Sequence, residues 1–133
     1  MKILQDYYAY FNDRDWDRFL GLLSPDVVHE ISQGQTQVGL EAFRSFMLHM
    51  DTCYRETVSQ LCLMQNPEGT RAAAEFWLDG IYLQSDEGLP AARGQSYRQR
   101  EGAIFEILNG RICRVSNHYN LKDRIRQVSD PSA

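Results

Sequence analysis

The spacing of apolar residues changes along this 133-residue chain, and that change restricts the folds open to it. Up to about Met50 most apolar residues recur at helical spacing; from Thr57 onward they alternate as in strands. Ile3, Leu4, Tyr7, Tyr8 and Phe11 make one helical stripe, broken by Asn12-Asp13. Trp16, Phe19, Leu20 and Leu23 make a second, with Asp13 or Asp15 placed to cap it. Ala42, Phe43, Phe46, Met47 and Met50 make a third, preceded by Gly39. Strands are predicted over 57–65, 70–84, 95–108 and 111–119, then a short helix over 121–128 and a frayed tail at 129–133. Asn66-Pro67-Glu68-Gly69 signals a turn, and Asn109-Gly110 a hairpin, because both of its residues tolerate positive φ. Helices followed by a meander of long strands predict one α+β domain over 1–133, without internal repeat. Long strands in a small sheet curl, and a curled sheet covered by helices encloses a conical cavity.

One strand lies within the helical half. After a turn at Ser24-Pro25-Asp26, residues 27–32 alternate Val27, His29 and Ile31 against Val28, Glu30 and Ser32; a loop through Gly34 follows. One face must meet the helices, and that face carries His29, a side chain that titrates near neutrality without help.

Composition narrows the function. The net charge is −4, and the 14 lysines and arginines form no run, which argues against a nucleic-acid surface. The apolar stretches are too short to span a bilayer, and Met-Lys-Ile-Leu-Gln-Asp lacks the apolar core of a secretory signal. A cytosolic protein is expected. Cys53, Cys62 and Cys113 have no metal-binding spacing and suit small buried hydrophobes in a reducing compartment. His29, His49 and His118 likewise form no ligand pattern, and His49 falls on the polar side of its helix. Phosphate-binding loops and serine-hydrolase elbows are absent, so neither cofactor nor metal is expected.

Three stretches carry a resemblance: Tyr-Tyr-Ala-Tyr-Phe-Asn-Asp-Arg-Asp-Trp (7–16), Leu-Leu-Ser-Pro-Asp-Val-Val-His-Glu-Ile (22–31) and Val-Gly-Leu-Glu-Ala-Phe-Arg-Ser-Phe (38–46). Together with the hairpin from Phe105 to Val115, they resemble the NTF2-like superfamily, in its ketosteroid-isomerase-like (SnoaL-like) branch. The resemblance implies a cone: helices on the concave face of a strongly curved, mostly antiparallel sheet. It also implies a homodimer. Ketosteroid isomerases use an aspartate base and an oxyanion hole of a tyrosine and a protonated acid. The tyrosine falls on Tyr7 and is kept; the base falls on Ile31 and the acid on Ala103. The usual steroid isomerisation is therefore not expected.

Strand alternation gives a candidate pocket. Anchored on Ile31 and Ala103, it turns His29, Glu101, Phe105 and Ile107 inward. It also turns in Cys113, Val115, Asn117 and Tyr119, and puts Phe76, Leu78, Gly80 and Tyr82 on one face of their strand. Gly80 suits a bulge or kink. His29 and Tyr7 are the catalytic candidates; Ile31, Phe76, Tyr82, Glu101, Ala103, Phe105, Asn117 and Tyr119 are candidates for contact with a small apolar molecule. A histidine beside a carboxylate serves as general acid or base, while tyrosine and asparagine donate to an oxyanion. Each has a plainer reading: Tyr7 and His29 as satisfied core residues, Glu101 as a solvated strand edge beside Gly102, Asn117 and Tyr119 as structural hydrogen bonders. Two functions stay open: a cofactor-free isomerase, dehydratase or cyclase acting on a carbonyl or polyketide-like compound, or a binding or scaffold module without turnover. The loop 85–94, with Asp86 and Glu87, suits a solvated segment, a lid or a subunit contact. Trp77 shares the outer face with Glu75, Asp79, Arg114 and His118, and marks the convex sheet face as the expected dimer contact.

Overall fold

The computed structural model describes residues 1–132. Helices α1 (Lys2–Asp13) and α2 (Trp16–Gly21) are followed by strands β1 (Leu23–Ile31) and β2 (Gln35–Val38), helix α3 (Leu40–Cys53), strands β3 (Tyr54–Gln65), β4 (Arg71–Tyr82), β5 (Ser96–Leu108) and β6 (Arg111–His118), and helix α4 (Leu121–Ser129). The six strands form one curved sheet in the order β2-β1-β6-β5-β4-β3. All neighbours are antiparallel except β1 and β6, which run parallel with His29 opposite Val115. Helix α1 packs on β3, α3 on β1 and β3, and α4 on β5. This is the α+β architecture expected from the apolar spacing.

Local chemistry sets the boundaries. Of the two aspartates, Asp15 caps α2, accepting from the Arg18 amide at 3.3 Å. Asn12, at the end of α1, clasps β3 through both backbone groups of Val58, at 2.8 and 2.9 Å. Asn109 and Gly110 turn the β5–β6 hairpin with φ of 53° and 75°. Along β4, Ala72, Ala74, Phe76, Leu78, Gly80 and Tyr82 are buried and the intervening residues are not, so alternation alone places its inner face.

Several expectations are corrected. Ser24-Pro25-Asp26 does not end α2; it lies inside β1, where the pairing with β6 slips between Leu23 and Val28. Proline offers no ladder donor, and a bulged stretch tolerates it. The loop through Gly34 contains β2, a short exposed edge strand too polar to show alternation. Strand β3 starts at Tyr54 rather than Thr57. Cys113 does not face inward with Val115: it is the extra residue of a bulge opposite Glu106 and Ile107, and its thiol meets the Glu106 carbonyl at 3.5 Å. Ile112 takes the core place instead. Gly80 is neither bulge nor kink; it makes room for the Tyr97 ring, whose Cζ would lie 2.1 Å from a Cβ there. Cys62 is exposed rather than buried. Ser129, read as tail, closes α4, and Ala133 lies outside the described residues. Among the described residues no helix is long and apolar enough to cross a membrane.

Candidate functional site

Between the sheet, α1, α3, α4 and the loop after β4 lies a cavity of about 480 Å³. Tyr7, His29, Ile31, Phe76, Glu101, Asn117 and Tyr119 are among its lining residues. Tyr82, Ala103 and Phe105 are not: they sit in the packed core behind it, at most 2% exposed. Tyr82 instead holds the loop, its hydroxyl donating to the Pro90 carbonyl at 2.7 Å and accepting from the Asp86 amide at 2.9 Å.

His29 is 1% exposed and stacks on Phe43, with ring centres 4.0 Å apart, edge-on to Phe46. No carboxylate among the described residues pairs with it; the Asn117 amide lies 3.2 Å from Nε2. An amide nitrogen there makes Nε2 the acceptor and assigns the ring proton to Nδ1, which is buried without a partner among the described residues. Burial brings the His29 pKa down to about 4, so the ring is neutral at pH 7. Tyr7 packs against Phe19 and Phe105, and burial raises its phenol well above the ordinary range.

The charge in the cavity lies elsewhere. Arg124 of α4 enters the core with its side chain 5% exposed and meets two carboxylates, Glu101 at 2.5 Å and Glu56 at 3.5 Å. Its Nε donates to the Gln99 Oε1 at 2.9 Å, and its guanidinium covers the Tyr97 and Tyr119 rings at 4.7 and 4.3 Å. Tyr97 donates to Glu56 at 2.5 Å. One guanidinium thus serves two buried carboxylates. Burial first and the Glu56 charge second push the Glu101 pKa up, against the pull of Arg124, to about 7. Glu101 is no solvated strand edge: its side chain is 11% exposed.

The rim is also polar. His49, expected on a solvated helix face, bonds Asp86 of the loop at 2.9 Å, and both border the cavity. Tyr54 donates to the other Asp86 oxygen at 2.7 Å.

Arg124 and Glu56 were not among the sequence-based candidates, yet both had a signal. Leu121, Arg124 and Val128 share a helical stripe, and an arginine inside an apolar stripe is anomalous. Glu56 shares the parity of Val58, but the predicted strand began one residue too late to include it.

A cone-shaped cavity with a few convergent polar groups is the arrangement of a small-molecule site. The SnoaL-like domain model matches residues 4–115, and the chain belongs to that family, within the NTF2-like fold. Three crystal structures share the fold closely. A candidate polyketide cyclase from Pseudomonas putida KT2440 is 51% identical, with a TM-score of 0.93 over 95% of each chain. One from Xanthomonas campestris pv. campestris is 44% identical, with a TM-score of 0.93 over 96% of this chain and 94% of that one. One from Silicibacter sp. TM1040 is 43% identical, with a TM-score of 0.94 over 97% and 94%. No protein of curated function matches the chain.

Proposed function

We propose that the chain binds an apolar, carbonyl-bearing, polyketide-like compound in its cone and acts on it by cofactor-free proton transfer, with Glu101 as the base. The observation that carries this reading is the Glu101 carboxyl itself, inside an apolar cavity, held by Arg124 and brought by burial to a pKa of about 7. A group that titrates near the working pH is suited to both taking and returning a proton. The Glu101 carboxylate removes a proton from the carbon beside the carbonyl, leaving an enolate, and the resulting carboxylic acid returns it at another position. The enolate oxygen falls to the Nδ1–H of neutral His29 and the Tyr7 hydroxyl, donors suited to developing charge in a dry site. His29 is thus a donor in this scheme rather than the titrating group. The similarity to candidate polyketide cyclases supports the ligand class.

The test is deuterium uptake. An apolar aryl ketone incubated with the protein in D2O should exchange its α-protons faster than in buffer, with a rate rising through pH 7. Glu101→Gln should lower that rate by on the order of a hundred- to ten-thousand-fold. The second reading, a binder without turnover, is favoured by Ile31 and Ala103 standing where ketosteroid isomerases carry their acids. Saturable ketone binding without exchange in the parent protein would select it.

We also propose a homodimer through the convex sheet face. Trp77 lies there against the guanidiniums of Arg98 and Arg100, each 4.7 Å from its ring, on a face that also exposes Ile81 and Ile104. Light scattering should give twice the 15.4 kDa chain mass at micromolar concentration. A monomer mass would refute this proposal.

A further inference from the structure

Three side chains of different chemistry converge at one edge of the cavity: His49 and Asp86 border it, and Cys53, 2% exposed, lies in the core beside them. His49 and Cys53 lie one turn apart on α3, and Asp86 reaches them from the loop after β4. Their nearest ligand atoms all lie within 4.8 Å of one another. His49 Nε2 is 2.9 Å from Asp86 Oδ1 and 3.9 Å from Cys53 Sγ. The geometry points to a metal site: His49, Cys53 and Asp86 form a three-ligand seat for one zinc ion, with its fourth position left to water or to an oxygen of the compound in the cavity.

The donor set selects the ion. A thiolate, an imidazole and a single carboxylate suit zinc, whereas magnesium and calcium prefer shells of oxygen. Three protein ligands with one open position is the pattern of zinc sites that keep an exchangeable fourth ligand. The distances are close to what is needed. Zinc with its usual bonds, about 2.0 Å to nitrogen or oxygen and about 2.3 Å to sulfur, sets its ligand atoms roughly 3.3–3.6 Å apart. The His49–Asp86 pair must open by a few tenths of an ångström and the sulfur must close on His49 by about as much, while the Cys53–Asp86 separation, at most 4.8 Å, must close by up to about 1.2 Å. The exposed His49 and the loop-borne Asp86 are the ligands free to make these shifts.

The surroundings hold the ligands in place. Tyr54 donates to Asp86 Oδ2 at 2.7 Å, and the Glu87 amide donates to Oδ1 at 2.9 Å. The Asp86 amide is tied to the Tyr82 hydroxyl. The amides of Leu83 and Gln84 both donate to the Cys53 carbonyl, at 2.8 and 3.2 Å, so the root of the loop is tied to the end of the helix. Such outer contacts orient a carboxylate before an ion arrives. The His49 side chain is 55% exposed, which gives an ion a route from solvent. A simple clasp of loop to helix would need only the His49–Asp86 hydrogen bond; the sulfur facing the same imidazole nitrogen has no part in it.

The test uses the tag-free full chain, stripped with chelator and titrated with zinc chloride by calorimetry, then with cobalt chloride under an absorption spectrometer. One ion per chain is expected, and bound cobalt should show a thiolate charge-transfer band with tetrahedral visible bands. His49→Ala and Asp86→Asn should each weaken binding tenfold or more. Cys53→Ser should remove the thiolate band, and Cys62→Ser, at an exposed site elsewhere, should change nothing. Circular dichroism checks each variant; if Cys53→Ser misfolds, the half-exposed His49 decides, because its replacement leaves the core intact. The site is refuted by the absence of saturable one-to-one binding. Binding that survives both His49→Ala and Asp86→Asn, or a thiolate band lost with Cys62→Ser, refutes it equally.

Discussion

Arg124→Met should destabilise the protein by about 3–5 kcal/mol at pH 7.5, a fall in melting temperature of roughly ten degrees or more. Methionine keeps much of the apolar stem but removes the charge. Glu56 and Glu101, whose side chains are 12% and 11% exposed, would then face each other without a cation. A buried pair broken from one side costs far more than it contributes when intact, because the remaining charges can reach neither water nor a partner. The loss should shrink at pH 5, where Glu101 carries its proton. Thermal melts at the two pH values measure both effects. Arg126→Met, on the exposed face of the same helix, is the control and should change little. Equal behaviour of the two variants would mean that the cluster is far better hydrated than its burial implies.

Glu101→Gln should act in the opposite direction, and only above pH 5. The ordinary carboxyl pKa of 4.5 rises to about 7 in the folded protein. Below about pH 4.5 the group is protonated whether the chain is folded or not, and it contributes nothing to pH dependence. Between these values the folded state holds a proton that the unfolded state has lost, so stability falls as pH rises. By pH 8 the accumulated cost is on the order of 3 kcal/mol. Glutamine never ionises, so the variant should gain about that much on the parent between pH 5 and pH 8. Denaturant midpoints followed across that range check it; parallel curves for the two proteins would show that Glu101 is already ionised at pH 5.

The two variants together separate the parts of the site that were visible in the sequence from those that were not. Alternation along β1, β4 and β5 depends only on neighbouring residues, and it placed His29, Phe76 and Glu101 on the helix side as observed. It failed at Cys113, because a bulge shifts parity without leaving a residue signature. It also could not tell the cavity wall from the core behind it, since Ala103 and Glu101 share one face of β5 and only depth separates them. The ion cluster depended on pairings distant in sequence. Arg124 meets Glu56 from 68 positions further along the chain, and nothing near either residue announces the other. The partner of His29 was missed for the same reason: the expected carboxylate is committed to Arg124, and an amide from β6 stands in its place.

Gly80 adds a last consequence. Its chemistry is nil, it lies on a central stretch of β4, and the Tyr97 ring of β5 occupies the space that its side chain would have filled. From that position the Tyr97 phenol reaches across to Glu56. The seating of a buried phenol on a buried carboxylate therefore depends on a vacancy at a residue that can neither bind nor react. A single methyl group at position 80 would evict the ring and loosen the phenol from the carboxylate that shares Arg124 with Glu101. Mutational maps that score positions by their distance to a ligand would pass over this one.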